Sequence, residues 1–238
     1  LLGSGANWHS IARGLSARFR VLAVDARNHG FSPWCDGMDY PSQAADVLDL
    51  LDNLSLEKAF FVGHSMGGKT AMEVSLSAPE RVLGLVVADI APIAYTPRYR
   101  EMIETLLEVD VSSIDKRSEA DALLAEQVED RMLRLFLLKN LERREGGGFR
   151  WRINLPGIVA DYQSVWDGIP GGRSYNGPVL FVAGGNGGYL RQGDHEPIRK
   201  LFPAAEFVTF ENAGHWVHAE EPEAFMEKVA SFFSNRSG

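Results

Sequence analysis

The chain has 238 residues, of which 45% are hydrophobic and 24% are charged, and its formal net charge at pH 7 is −8. This composition is typical of one globular unit with room for an inserted subdomain, and it excludes a disordered chain. The negative charge disfavours nucleic acid as a partner, because phosphate binding needs a basic surface. A single cysteine, Cys35, excludes an internal disulfide and favours a reducing compartment. No apolar run reaches the length of a membrane span.

The first third of the chain predicts helices that alternate with strands. Apolar residues recur at helical spacing over residues 7–15 and again over residues 40–54. Residues 19–25 and 82–89 are instead nearly continuous apolar runs. Such runs are typical of strands buried on both faces, so this pattern predicts a parallel sheet covered on both sides.

A nucleophile elbow is predicted at residues 60–69, which read Phe-Phe-Val-Gly-His-Ser-Met-Gly-Gly-Lys. An apolar strand runs directly into Gly-x-Ser-x-Gly, and a helix-compatible run follows, which is the order that holds a serine Oγ at the tip of a strained turn. Ser65 is therefore the candidate nucleophile. Gly63 and Gly67 are expected to leave room where strand and helix nearly touch. The alternative is a glycine-rich turn whose serine has no catalytic role. The other motifs of the chain must distinguish these two interpretations.

The pattern changes after Pro92, and no strand of a parallel sheet is predicted again before residue 177. The predicted elements of this span are helices at residues 99–109, 118–141 (opening on a capping box at Ser118) and 156–166, with a short strand near 149–155. We therefore predict an α/β core formed by residues 1–91 and 177–238. Residues 92–176 are predicted to form a small, mostly helical cap over the edge of the sheet.

The sheet resumes at residues 179–185 and ends with a last strand at residues 206–210. Helices are predicted near residues 196–201 and 222–233, the second of which closes the chain. The loop between the last strand and the last helix contains His215 and His218.

Four polar residues follow predicted strands, where ligands of such sheets bind: Asp25, Ser65, Asp89 and His215. A serine needs a base of near-neutral pKa, and the base needs an acid that holds its tautomer. Because His215 directly follows the last strand, it is the predicted base. The order serine, acid, histidine along the chain is the one expected for α/β-hydrolases.

Three other histidines have structural interpretations. His218 is expected to be a surface residue or a neighbour that supports the site. His64 lies next to Ser65 in sequence, so its ring should project away from the serine Oγ, and it is expected to pack and hydrogen-bond. His29 is expected to brace loops, with a position at the pocket rim as the alternative.

The triad acid has two candidates. In folds of this kind the loop after the strand at residues 179–185 commonly supplies it, but here no carboxylate occurs there before Asp194. Asp89 ends the strand that follows the elbow helix and can reach the same imidazole from a neighbouring strand. Asp89 is the preferred acid and Asp194 the alternative.

An oxyanion hole needs two backbone donors. Met66, the residue after the nucleophile, should supply one. Leu1 and Leu2 are the candidates for the second, since no earlier residue is present in the sequence.

Together these motifs resemble the YbfF-type esterases and the related mitochondrial α/β-hydrolase-domain proteins. The motifs are Leu1-Leu2-Gly3-Ser4-x-x-Asn7-Trp8, Asp25-x-Arg27-Asn28-His29-Gly30-x-Ser32-Pro33, residues 63–69, Asp89-Ile90-Ala91-Pro92, Gly184-Gly185-Asn186 and residues 214–220. The resemblance implies an α/β-hydrolase fold, a small helical cap and carboxylester hydrolysis without a cofactor. It also implies Asp89 as the acid. Members of that family have further strands and a His-Gly pair before the position of Leu1, so N-terminal strands are expected to be missing here.

The sequence therefore predicts a serine hydrolase that cleaves small-to-medium acyl esters, with no metal and no cofactor. A thioesterase or amidase would use the same residues, and a catalytically silent binding protein of the same fold is the alternative from another class. A carboxylate nucleophile, which dehalogenases and epoxide hydrolases need, is absent at Ser65. His215-x-x-His218 and Asp194-His195-Glu196 have spacings that could bind a metal. We interpret the first as part of a catalytic loop and the second as the polar start of a helix.

The predicted partner is a small-molecule ester, with no nucleic acid and no membrane span. The sequence does not indicate an oligomeric state. The expected compartment is the cytoplasm or the mitochondrial matrix.

Overall fold

A computed structural model describes residues 1–236 and places a parallel four-stranded sheet at the centre of the fold. The strands are β1 (Ala59–His64), β2 (Val82–Ala88), β5 (Val179–Gly184) and β6 (Ala205–Phe210), in the order β1-β2-β5-β6. A two-stranded antiparallel sheet pairs β3 (Leu141–Arg143) with β4 (Phe149–Trp151). The helices are α1 (His9–Leu15), α2 (Tyr40–Asn53), α3 (Met66–Ser77), α4 (Arg100–Glu108), α5 (Arg117–Ala125), α6 (Arg131–Leu138), α7 (Leu155–Ala160), α8 (Tyr162–Trp166), α9 (His195–Leu201), α10 (Val217–Glu220) and α11 (Pro222–Ser234).

The central strands are buried on both faces, as their continuous apolar runs predict. Along β2, Leu85 and Val87 belong to one apolar cluster, whereas Val86 and Ala88 belong to another on the opposite face. Alternate side chains of a strand point to opposite faces, so helices must cover both sides of this sheet. The predicted α/β class with a mostly parallel sheet is confirmed.

The strand predicted at residues 19–25 is not present, and this prediction is wrong. The segment has no regular secondary structure, and β1 pairs only with β2 among the described residues. Leu22 and Val24 are 44% and 46% exposed rather than buried. A strand exists only through hydrogen bonds to a neighbour, so an apolar run without a described partner stays an irregular segment.

The segment between β2 and β5 is mostly helical, but its helices are shorter than predicted. The helix expected over residues 118–141 divides into α5 and α6, because the Asp130 side chain accepts hydrogen bonds from the backbone N–H groups of Met132 and Leu133 and begins a new helix. The capping interaction at the start of α5 comes from Glu119, whose carboxylate accepts from the Lys116 N–H, and not from Ser118. The helix expected over residues 156–166 likewise divides, at Asp161, into α7 and α8.

The segment between β2 and β5 also has its own apolar cluster. That cluster includes Ile103, Leu124 and Ile158, and it reaches Tyr40 at the start of α2 and Met66 at the start of α3. The segment therefore packs on the same end of the sheet at which the elbow lies. No helix among residues 1–236 is long and apolar enough to cross a membrane.

Candidate active site

Ser65 lies at the tip of a sharp turn between β1 and α3. Its backbone has φ 52° and ψ −121°, a conformation that is strained for a residue with a Cβ. The turn is held on both sides, since the Ser65 N–H donates to Ala88 O at 3.1 Å and the Lys69 N–H donates to Ser65 O at 3.1 Å. This is the strained strand-to-helix turn that the elbow motif predicts.

Of the two close approaches predicted in the elbow, the one at Gly63 is present and the one at Gly67 is not. A Cβ on Gly63 would lie 2.2 Å from Gly67 O, so the predicted close approach at Gly63 is present. A Cβ on Gly67 would meet nothing within 4 Å, so the clash expected there is absent. The second crowded position is Gly68, whose Cβ would lie 2.8 Å from Cγ2 of Ile90. Gly67 contributes its carbonyl to the crowding at Gly63, whereas its own Cα faces open space.

Asp89 follows β2 and is completely buried. Its Oδ2 accepts a hydrogen bond from Nδ1 of His215 at 2.8 Å, and its Oδ1 accepts from the Gly184 N–H at 3.1 Å. A carboxylate is an acceptor only, so the shared proton is on Nδ1 and the lone pair of the imidazole is on Nε2. A Cβ on Gly187 would lie 2.2 Å from Oδ2 of Asp89, so the glycine loop after β5 closes tightly over the carboxylate.

Asp194, the alternative acid, makes its hydrogen bond within its own loop. Its Oδ2 accepts a hydrogen bond from the Arg191 N–H at 2.8 Å, within a short turn before α9. The carboxylate that contacts His215 is therefore that of Asp89.

The backbone around His215 is held by the side chains of Glu220, whose role the sequence did not reveal, and of His64. The Glu220 carboxylate accepts from the N–H groups of Gly214, at 2.6 Å, and Trp216, at 3.1 Å, on either side of His215. Nε2–H of His64 donates to His215 O at 2.7 Å. A carboxylate five residues after the candidate base was visible in the sequence, but only the return of the chain into α10 brings it back to the loop.

The two other histidines near the base are neutral, and His218 is buried whereas His64 is half-buried. Burial keeps the pKa of His64 well below its usual range and lowers the pKa of His218 to about 4. The His218 ring stacks on Trp8 with centroids 4.4 Å apart, and it lies 4.7 Å from the His64 ring. His218 is therefore a buried supporting residue and not a surface residue, and His64 packs and hydrogen-bonds as expected.

Ser65 and His215 line one cavity, which Met66 and Tyr189 also line. The Tyr189 ring packs against the His215 ring with centroids 4.2 Å apart. Among residues 1–236, Ser65 Oγ makes no hydrogen bond, and the serine and the imidazole both line this cavity.

One of the two candidates for the second oxyanion donor, Leu2, is engaged elsewhere. The Leu2 N–H donates to Nε2 of His29 at 3.1 Å, and Nδ1–H of His29 donates to Arg27 O at 2.8 Å. The expectation of an oxyanion donor at Leu2 is therefore corrected, because this amide is committed to His29. Met66 and Leu1 remain as the candidate donors. His29 does brace loops, and burial lowers its pKa to about 4.

Two further predictions concern other residues. Asp25 accepts hydrogen bonds from the N–H groups of Gly5 at 2.7 Å and Phe31 at 2.8 Å, which makes it a brace between two loops. Within the described part of the chain, no group of three or more His, Cys, Asp or Glu residues is arranged to hold a metal ion.

Comparisons with known proteins address the fold and the family of the chain. A family profile described as the alpha/beta hydrolase fold matches residues 1–222. The chain is 40% identical to an sn-1-specific diacylglycerol lipase, ABHD11, of Mus musculus, over 98% of this chain and 78% of that protein. It is 35% identical to Esterase YbfF of Escherichia coli K12, over 99% of this chain and 91% of that protein. A solved structure of a marine microorganism esterase superposes with a TM-score of 0.94 at 40% identity, covering 98% and 92% of the two chains.

Proposed function

The chain belongs to the α/β-hydrolase fold family and is a carboxylic ester hydrolase, and from this premise we propose that it cleaves small-to-medium acyl esters through Ser65, His215 and Asp89. The observation that carries the proposal is the 2.8 Å hydrogen bond between Asp89 Oδ2 and His215 Nδ1. This bond leaves the basic nitrogen Nε2 free in the cavity that Ser65 also lines.

In the proposed reaction, Ser65 Oγ attacks the ester carbonyl while its proton moves to Nε2 of His215. Asp89 holds the imidazole in the required tautomer and stabilises the imidazolium. When the tetrahedral intermediate collapses, the proton passes to the leaving alcohol and an acyl-enzyme remains on Ser65. Water then repeats the sequence, giving up its proton to His215, and releases the carboxylic acid.

The negative charge of the tetrahedral oxygen needs donors at the helix side of Ser65. Met66 is the first residue of α3, so its N–H belongs to the free amides at the start of that helix. We assign the second donor to the nitrogen of Leu1, because the Leu2 amide is bound to His29. No cofactor is needed for any of these steps.

The substrate class is inferred from the cavity wall. The cavity is also lined by apolar residues of the segment between β2 and β5, among them Met102, Leu133, Phe136 and Trp166. We propose that residues 92–176 form a cap that encloses the acyl chain, over a core of residues 1–91 and 177–238. An apolar wall favours a hydrocarbon acyl group over a charged one. A thioester or an amide could be attacked by the same residues, but the named esterases among the relatives favour the ester.

The proposed compartment is the cytoplasm or the mitochondrial matrix. Cys35 is the single cysteine of the sequence and is exposed, which suits a reducing environment.

A fluorophosphonate tests the proposal directly. We expect the intact mass to rise by one phosphonyl group, the rise to be absent in Ser65→Ala, and the rate to fall strongly in His215→Ala. Hydrolysis of p-nitrophenyl esters of increasing acyl length then gives the preferred chain. A folded protein that is neither labelled nor active on any ester would instead be a silent binding protein of the same fold.

A further inference from the structure

Lys69 is a buried lysine that the proposed reaction does not use. Only 1% of its surface is exposed, and it lies in the first turn of α3, with its N–H bonded to Ser65 O. An ammonium group is costly to bury unless its donors are paired, so its partners indicate why it is there.

The partners of Lys69 belong to two separate segments of the chain. Nζ donates to Ile93 O at 2.9 Å and to Asp167 O at 2.6 Å. It also lies 4.9 Å from the ring centroid of Tyr95 and 5.4 Å from that of Tyr40, which are cation–π distances. Ile93 precedes the helices between β2 and β5, whereas Asp167 follows them.

These two connecting segments, residues 92–95 and 165–169, lie side by side and are here called the neck. The Tyr95 N–H donates to Trp166 O at 2.9 Å, and the Ile169 N–H donates to Pro92 O at 3.0 Å. A Cβ on Gly168 would lie 2.9 Å from the Ala94 nitrogen, which shows how closely the two segments approach. All helices of the proposed cap are joined to the core through this neck.

We propose that Lys69 is a positioning residue that clamps both segments of the neck to the first turn of the elbow helix and thereby sets the cap's position over Ser65. Ser65 and Lys69 are joined by a hydrogen bond within one helical turn, so a fixed neck fixes the cap relative to the nucleophile. The structural part of this proposal stands on the contacts alone. Its kinetic part rests on the proposed ester hydrolysis.

The clamp does not require a charged lysine. Burial lowers the pKa of Lys69 to about 8, and the nearby Asp167 partly opposes that shift. Burial also raises the pKa of Tyr40 and of Tyr95, so both phenols that face the amine are neutral around that pH. A neutral amine still has two N–H groups for the two carbonyls, so the neck stays bound in either protonation state.

Hydrogen exchange of Lys69→Met tests the structural part without any substrate. Methionine has a similar length but no donor, so the part-buried hydrogen bonds to the Ile93 and Asp167 carbonyls are lost. We expect the Tyr95 and Ile169 amides to exchange about tenfold faster or more, relative to the sheet amides. The matched control is Val229→Ala in α11, which opens a cavity in a different apolar cluster that contains no residue of the neck. Equal exchange of the neck in the two variants overturns the proposal.

The wild-type protein provides a second test in case Lys69→Met does not fold. If Lys69 joins neck and elbow, the Tyr95 and Ile169 amides should open together with the α3 amides in native-state exchange. If they open with the faster amides of α4 to α8, the neck is not clamped to the elbow and the proposal fails.

Kinetics of Lys69→Met test the consequence for the site. We expect p-nitrophenyl acetate, whose acyl group is too short to reach the cap, to change less than about threefold in kcat/KM, and an octanoyl ester to lose about tenfold, mainly in KM. An equal loss for both esters would indicate a general structural role and would overturn the proposal. An absence of hydrolysis in the wild-type protein would refute the proposed function but leave the exchange result standing.

Discussion

The two sides of the candidate site are held by different parts of the molecule. On the acid–base side, Asp89 and His215 are fixed by the sheet and the loops that follow it, through Gly184 and Glu220. On the oxyanion side, only Met66 comes with the elbow. Leu2, at the start of the chain, is held by residues outside the elbow. Its N–H donates to His29, and its carbonyl oxygen accepts from the Asn140 side chain at 2.8 Å.

The geometry of the two sides therefore depends on different contacts. The acid–base side is set by the register of buried parallel strands, so it should resist changes in the cap or the front loop. The oxyanion side depends on contacts with a loop and with Asn140, which lies between α6 and β3. Substitutions on the two sides should therefore affect different quantities.

The largest effect is expected for Asp89→Asn. The amide has nearly the same shape but can donate to Nδ1, which would place the imidazole proton on Nε2, where the base is needed. We expect kcat/KM for a p-nitrophenyl ester to fall by about 10³–10⁴.

Asp194→Asn is the control for that substitution, because this carboxylate bonds only to the turn at Arg191. We expect its activity to remain near that of the wild type. A large loss in Asp194→Asn together with a small one in Asp89→Asn would reverse the assignment of the acid.

The sequence predicted much of the acid–base side because its motifs are local. The elbow is contiguous in sequence, and hydrophobic runs predict the strand ends at which Ser65, Asp89 and His215 lie. The choice between Asp89 and Asp194 was open on spacing alone. It depends on which strand lies next to which, and β2 lies between β1 and β5 only in the folded sheet.

The oxyanion side and the supporting contacts were harder to predict for a physical reason. Lys69 reaches a neck whose two segments are far apart in sequence, and nothing in its own neighbourhood indicates them. The apolar run at residues 19–25 predicted a strand, yet strand formation depends on a neighbour that periodicity cannot reveal. Crowding at Gly63 rather than at Gly67 likewise depends on the direction in which each Cα faces.

Acid should weaken both sides, because a buried neutral histidine supports each of them. Burial lowers the pKa of His29 and of His218 to about 4, whereas an unfolded histidine titrates near 6.5. Between pH 6.5 and 4 the unfolded chain therefore binds more protons, so stability is fully present above 6.5 and falls as the pH drops. Each histidine contributes about 3 kcal/mol to this loss, which urea unfolding at pH 7.5 and 4.5 would measure.

His218→Phe isolates one of these contributions. Phenylalanine keeps an aromatic ring against Trp8 but does not titrate, so the pH-dependent loss of stability should fall by roughly a third, because His29 and His64 also have lowered pKa values. An unchanged pH dependence would mean that His218 does not resist protonation in the folded protein.

Gly187→Ala should disturb the acid–base side alone. The added Cβ would lie 2.2 Å from Oδ2 of Asp89, so either the carboxylate or the loop must move. A displacement of this size typically costs about 10² in rate, and we expect that loss in kcat with little change in KM. Gly193→Ala is the matched control, because its Cβ meets nothing within 4 Å. Equal activities of the two variants would show that the loop absorbs the methyl group without moving Asp89.

The smallest effect is expected for His29→Phe, which loosens the oxyanion side without removing a donor. The Leu2 N–H and Arg27 O lose their partner, and the front loop is free to move away from Ser65. Since complete loss of one oxyanion donor costs about 10²–10³ in rate, a displaced one should cost about tenfold in kcat. The control is His9→Phe, which changes an exposed histidine of α1 and should leave kcat unchanged. An unchanged kcat in His29→Phe would mean that the front of the chain does not supply the second oxyanion donor, and that the two sides of the site do not differ in the way proposed.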